Sequence, residues 1–180
     1  MNRAVLAVAL SFATFSEAQE DLGAIAQLEV WRHERFLLVR NAEASDLAAF
    51  TTDGCSGGMS SAWRTVAQVF PSFRQNQGEV PPWERCCVTH DEAYHLGGDG
   101  TSARTSYDAR LAADEALQQC VKAVAREDGD ALQARYGEPQ ERIEIAFDFI
   151  ADRMLEAVRV GGAPCSGLPW RWGYGWPHCW

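Results

Sequence analysis

Two adjacent cysteines, Cys86 and Cys87, sit in a stretch from Trp83 to Leu96 that contains neither Gly nor Pro. Such a stretch reads as a helix, stopped by Gly97 and Gly98. Neighbouring residues on a helix point about 100° apart. If both cysteines are oxidised, this helix is tied to two different parts of the chain on two different sides. The chain has six cysteines, an even count that reads first as three disulfides, with the partners left open by sequence alone.

Disulfides require an oxidising compartment, and the N-terminus reads as an export signal. The charged start M-N-R leads into the apolar run A-V-L-A-V-A-L-S-F-A-T-F, followed by small residues at Ser16 and Ala18. A signal peptide over residues 1–18 fits this pattern, and it implies a secreted or periplasmic protein. The competing reading is an N-terminal core helix. Nothing later is apolar for long enough to span a bilayer. The formal net charge is −9, which argues against a nucleic-acid partner and against purely electrostatic attraction to anionic lipid.

The residues between 21 and 49 mix apolar and charged types and read as helical, without a pattern clean enough to set boundaries. T-T-D-G-C-S-G-G-M-S-S, from Thr51 to Ser61, is loop chemistry. A short helix is expected over Ala62 to Phe70, then a surface excursion from Pro71 to Pro82. A polar turn from Asp99 to Ser106 leads to a helix from about Tyr107 to Val124. A further helix is expected over 139–160, with Ile143, Phe147, Ile150, Met154 and Val158 on one stripe. The tail, 163–180, holds four of the seven Trp and cannot be a regular helix.

The segment C-C-V-T-H-D-E-A-Y-H, Cys86 to His95, carries the chemistry. Residues four apart share a helix face, so Cys86, His90 and Tyr94 line one side, while Cys87 and Asp91 line another. The next helix contains Asp114 six residues before Cys120. Suppose Cys86 bonds Cys120 and the helices are antiparallel. His90 then lies about 6 Å from the bridge along one helix and Asp114 about 9 Å along the other, on the same side. A carboxylate facing an imidazole can fix its tautomer and stabilise it once protonated. Tyr94 is in reach to donate its hydroxyl to that carboxylate. A second bridge, Cys87 to Cys55, would hold Asp53 and Gly54 beside Asp91, offering the oxygen ligands that a hard cation takes.

C-C-V-T-H-D-E-A-Y resembles the signature of secreted phospholipase A2, and the Asp114-to-Cys120 spacing is similar to that family's second catalytic helix. T-D-G-C-S looks like the calcium loop of its bacterial and fungal members. The resemblance covers residues 53–120. It implies a mainly α fold with two antiparallel catalytic helices. The residues themselves place these in a small disulfide-linked domain over 19–180 and add a further C-terminal helix and an irregular Trp-rich tail, neither of which has a counterpart in the family. The resemblance implies His90 as general base, Asp114 and Tyr94 as its partners, and calcium on Asp53, the Gly54 carbonyl and Asp91. The implied reaction is hydrolysis of the sn-2 ester of a phospholipid at a membrane or micelle interface. Water attacks directly, and a backbone N–H of the Gly54 to Gly58 loop assists the oxyanion. The implied mechanism needs no nucleophilic serine.

This chain departs from the family's pattern in several places. The animal-type loop of alternating glycines is absent, the stretch between Cys55 and Cys87 is long, and Ala93 stands where many animal enzymes carry a cysteine. Cys165 and Cys179 remain for a third bridge. The Trp-rich tail reads either as a lipid-interface anchor or as a cover packed over the third helix. Asp53 has a plain-turn alternative, and His95 reads as a solvated helix end. Zinc on Cys86, Cys87 and His90 is disfavoured, since exported cysteines oxidise. The alternative to an active hydrolase is a catalytically silent binding module or toxin-like protein of the same fold.

Overall fold

The computed structural model describes residues 23–55 and 59–180, so the expected signal peptide and Gly57 and Gly58 of the loop lie outside the described residues. The described residues form seven helices and no strand. They are α1 (Ala24–Arg40), α2 (Met59–Val69), α3 (Pro71–Gln77), α4 (Glu84–Leu96), α5 (Ala103–Glu127), α6 (Gly129–Tyr136) and α7 (Gln140–Gly161). The mainly α, disulfide-linked class expected from the sequence is the class observed. All three bridges pair as expected: Cys55–Cys87, Cys86–Cys120 and Cys165–Cys179.

Helix α5 is the central element, packed by α1, α4 and α7. Its C-terminal half is apolar inside: Leu117, Val121, Val124 and Ala125 join Ile143, Phe147 and Ala151 of α7 and Trp83 beside α4 in one core. Its N-terminal half buries polar residues instead, namely Ser106, Arg110 and Asp114. One helix thus divides between an apolar buried end and a polar buried end. Along α4 the contacts run Cys86 to Cys120, His90 to Asp114 and Tyr94 to Arg110. The partner numbers fall as the α4 numbers rise, so the two helices are antiparallel.

Several boundaries differ from the sequence reading. Helix α5 starts at Ala103 rather than near Tyr107, because Ser102 and Thr105 form a capping box. The Ser102 hydroxyl accepts from Thr105 N–H, and the Thr105 hydroxyl accepts from Ser102 N–H. The surface excursion after Pro71 contains α3, which opens on that proline and packs Phe73 edge-on against Trp63 at 5.2 Å. Helix α6 has no counterpart in the sequence reading. It is short, buries Leu132, and ends on left-handed Gly137. Pro139 caps α7 rather than opening it.

The Trp-rich tail is irregular, as expected, and it covers α1 and the end of α4 as well as the end of α7, where Trp170 and Leu168 lie against Gly161. The last carbonyls of a helix have no partner within it. Here Gly173 N–H donates to the Tyr94 carbonyl, Gly175 N–H to His95 and Trp176 Nε1–H to Leu96. Trp172 is buried edge-to-face on Tyr94 at 5.1 Å and donates its Nε1–H to Ser106 Oγ. Gly97 and Gly173, both at positive φ, flank the Phe36 ring so closely that a Cβ on either would run into it. Trp180 is 70 % exposed; its ring stacks on Trp31 and carries the Arg35 guanidinium over it. Truncating Trp172 to Ala is therefore expected to cost about 3–5 kcal/mol. Trp180→Ala is expected to cost less than about 1 kcal/mol in the same urea unfolding measurement, since its ring is mostly in water. Equal costs would contradict the division of the tail into a structural and an exposed part.

Candidate active site

His90 and Asp91 project from consecutive positions of α4, in different directions, each one turn beyond a cysteine. His90 Nε2 lies 2.8 Å from Asp114 Oδ1. Both side chains are buried, and Asp114 is completely so. A carboxylate accepts hydrogen bonds, so Nε2 carries the proton. In a neutral imidazole this leaves the lone pair on Nδ1. The sequence brought these two residues together on paper, and the structure does so in space.

Tyr94 shares Asp114 Oδ1 with His90. Its hydroxyl donates to Asp114 Oδ1 at 2.6 Å and accepts from Arg110 Nε at 2.9 Å, an arrangement that fixes the direction of its proton. Burial, reinforced by the charge of Asp114, pushes the Tyr94 phenol well above its ordinary value. Tyr94 therefore stays a neutral donor. Its ring lies over the His90 ring, with centroids 4.1 Å apart.

The loop before α2 meets the other face of α4. The Cys55–Cys87 bridge fastens it there, and Thr52 Oγ1 donates to Asp91 Oδ2 at 2.6 Å. Thr52 Oγ1 also accepts from Gly54 N–H at 3.0 Å. Gly54 adopts φ +81°, and a Cβ there would stand 2.7 Å from Ser60 Oγ and 2.8 Å from Glu84 Oε1. Only glycine serves at this turn. Asp53 and Asp91 line one cavity of about 380 Å³ together with Thr51, Thr52, Pro169, Trp170 and Tyr174. Burial, then the charges of Asp91 and Asp53, pushes the Tyr174 phenol up. Among the described residues no group of three or more His, Cys, Asp or Glu is arranged to hold a metal ion. A cation in this cavity would draw on two carboxylates and complete its shell with carbonyl oxygens and water, which suits calcium.

A second cavity of about 100 Å³ adjoins the first at Asp91 and Trp170. Met59, Leu117, Met154, Ala157 and Val158 line it with the Cys55–Cys87 bridge, and His90 and Tyr94 reach its wall. Helix α7 and the tail, which lie outside the motif, supply much of this apolar lining.

His95 is a correction. It is buried rather than solvated: its Nε2–H donates to the Ala48 carbonyl at 3.0 Å, and Phe50 and Tyr174 pack edge-on against its ring. It joins the loop to the tail.

Four residues at this site escaped the sequence reading: Thr52, Glu29, Arg110 and Arg159. Arg159 Nη1 donates to Asp114 Oδ2 at 2.9 Å, and Glu29 of α1 pairs with both arginines. The four-residue spacings Arg110–Asp114 and Glu29–His33 were the available signals. His33 is fully buried, with Nδ1 2.8 Å from Ser106 Oγ and Nε2 3.7 Å from Glu29 Oε1.

Burial holds the His33 pKa below its ordinary 6.5, against the pull of Glu29. Burial would raise the Glu29 carboxyl, but His33, Arg110 and Arg159 outweigh it and hold it below 4.5. Unfolded, His33 takes up a proton near 6.5, whereas folded it stays neutral to lower pH. The unfolded state thus binds more protons in that window, and stability falls as pH drops below about 6.5. Glu29 extends the loss: stability present above 4.5 disappears as pH falls through its depressed folded value. Urea unfolding at about pH 7.5 and about pH 5.5 is expected to show a drop that His33→Asn reduces. An equal drop in both proteins would contradict the buried neutral His33. No family model matches this chain, and neither does any curated protein or solved structure, so the chemistry of the site is read from its own geometry.

Proposed function

We propose that the chain is a calcium-dependent hydrolase of phospholipid esters, exported from the cell, with His90 as the general base. The observation that carries the reading is the His90 Nε2–Asp114 hydrogen bond, which leaves Nδ1 as the basic nitrogen of a ring that borders an apolar cavity. The resemblance of C-C-V-T-H-D-E-A-Y to secreted phospholipase A2 points the same way.

The two adjoining cavities favour an amphiphilic substrate. One is lined largely by apolar side chains, among them Met59, Leu117, Met154, Val158 and Trp170, suited to an acyl chain. The other carries the Asp53 and Asp91 carboxylates, suited to a cation that meets the polar part of the ester. Calcium held by Asp53, Asp91 and the Gly54 carbonyl would polarise the ester carbonyl and neutralise its developing negative charge.

In the proposed reaction Nδ1 of His90 takes a proton from water as the water oxygen bonds to the sn-2 carbonyl carbon. Asp114 meanwhile holds the Nε2–H and offsets the positive charge that the ring acquires. The ester C–O bond then breaks, the proton passes from Nδ1 to the departing glycerol oxygen, and fatty acid and lysophospholipid result. Tyr94 keeps its proton throughout.

Release of fatty acid from defined phospholipid vesicles tests the reading. His90→Asn is expected to lower the rate by about 10²–10⁴-fold while leaving the fold intact. Excess chelator and Asp91→Asn should each remove activity, and calcium should raise the melting temperature by binding the native state. Full activity in excess chelator would sink the calcium assignment. Activity of His90→Asn within about tenfold of wild type would remove His90 from the mechanism. No release from any phospholipid would favour a silent binding module.

A further inference from the structure

We propose that Glu29, on the N-terminal helix α1, is a positioning residue for the base: through Arg110 and Arg159 it holds Asp114 against His90 and balances the buried charge around it. The proposal rests on the reading of His90 as the base, and it adds a residue far from the motif in sequence.

The hydrogen bonds trace the connection. Arg159 donates from Nη1 to Asp114 Oδ2 at 2.9 Å and from Nη2 to Glu29 Oε2 at 2.7 Å. Arg110 donates from Nε to the Tyr94 hydroxyl and from Nη1 to Glu29 Oε1. Its Nη2 donates to the Val158 and Arg159 carbonyls at 2.6 and 3.1 Å, near the end of α7. Arg110 Nε also lies 3.7 Å from Asp114 Oδ2. A single glutamate thus bridges the two guanidiniums that face the single aspartate.

Charge counting explains the need for it. Arg110 and Asp114 are completely buried, and Glu29 is nearly so. Two guanidiniums beside one carboxylate would leave a surplus positive charge next to the imidazole. Such a surplus draws the charge of Asp114 away from the Nε2–H and opposes a ring that must become positive. Glu29 restores neutrality, with two carboxylates facing two guanidiniums. It is a planar bidentate partner for groups that need one, which a lysine in place of either arginine would not match. His33, which also faces Glu29, is neutral and adds no charge.

The test is read on the full chain without substrate, as the downfield proton resonance of His90 Nε2–H in ¹⁵N-histidine-labelled protein. Glu29→Gln leaves a surplus positive charge and should move that resonance upfield, as the bond to Asp114 weakens. Arg159→Met leaves a surplus negative charge and should move it downfield. Opposite signs are the signature of charge balance, since mere loosening of the fold would move both the same way. With phospholipid, Glu29→Gln should lower kcat by about 10–100-fold at unchanged KM, and Glu29→Asp should recover most of it. Should Glu29→Gln fail to fold, the direction of the Arg159→Met shift decides alone. Shifts of one sign, no shift, or a Glu29→Gln kcat within about twofold of wild type would overturn the proposal. A chain that hydrolyses no phospholipid would sink the functional reading and leave the resonance test standing.

Discussion

A fully buried carboxylate is costly unless each oxygen is paired, and the arrangement around Asp114 follows from that requirement. Its Oδ1 accepts from His90 and Tyr94 of α4, and its Oδ2 accepts from Arg159 of α7. Arg110, one turn back on α5, closes the circuit to Tyr94, and Glu29 ties α1 to both arginines. Four helices converge on one aspartate. Removing a single partner would strand a buried charge, so the network specifies the packing of the helices as well as the orientation of the imidazole.

The covalent links and the tail serve this arrangement from outside. Cys86–Cys120 sets the register of α4 on α5, which brings His90 and Asp114 to one level. Cys55–Cys87 attaches the Asp53–Gly54 loop to the opposite face, beside Asp91. The tail satisfies three carbonyls at the end of α4 and seals Tyr94 under Trp172. Trp170 borders both cavities, so the same segment that closes the fold also lines the cavity that His90 borders. A lipid-facing role for the tail would fall to Trp170 and Trp180, whose rings are the more exposed, and not to Trp172.

What could be read in advance was whatever depended on spacing within one helix. The two faces of Cys86–His90–Tyr94 and Cys87–Asp91, the Asp114–Cys120 interval and the apolar stripe of α7 all have a period to count. Helix α1 does not, because its buried face reads Glu29, His33, Phe36 and Leu37, half of it polar. A pattern search takes such residues for a solvated surface, and only the arginines arriving from α5 and α7 make their burial favourable. His95 misled for the same reason: its partner, the Ala48 carbonyl, comes from a distant irregular segment. The early start of α5 lay in a Ser-x-x-Thr cap within a run that otherwise looked like a turn.

The tautomer of His90 is the point on which the proposed function turns, because a base needs its lone pair on the nitrogen that Asp114 does not hold. Long-range ¹H–¹⁵N correlation on the histidine-labelled protein at neutral pH reports it directly, with Asp114→Asn for assignment. The account predicts a proton on Nε2, bonded to Asp114, and an unprotonated Nδ1. A proton on Nδ1 with Nε2 bare would contradict it, whatever the protein hydrolyses.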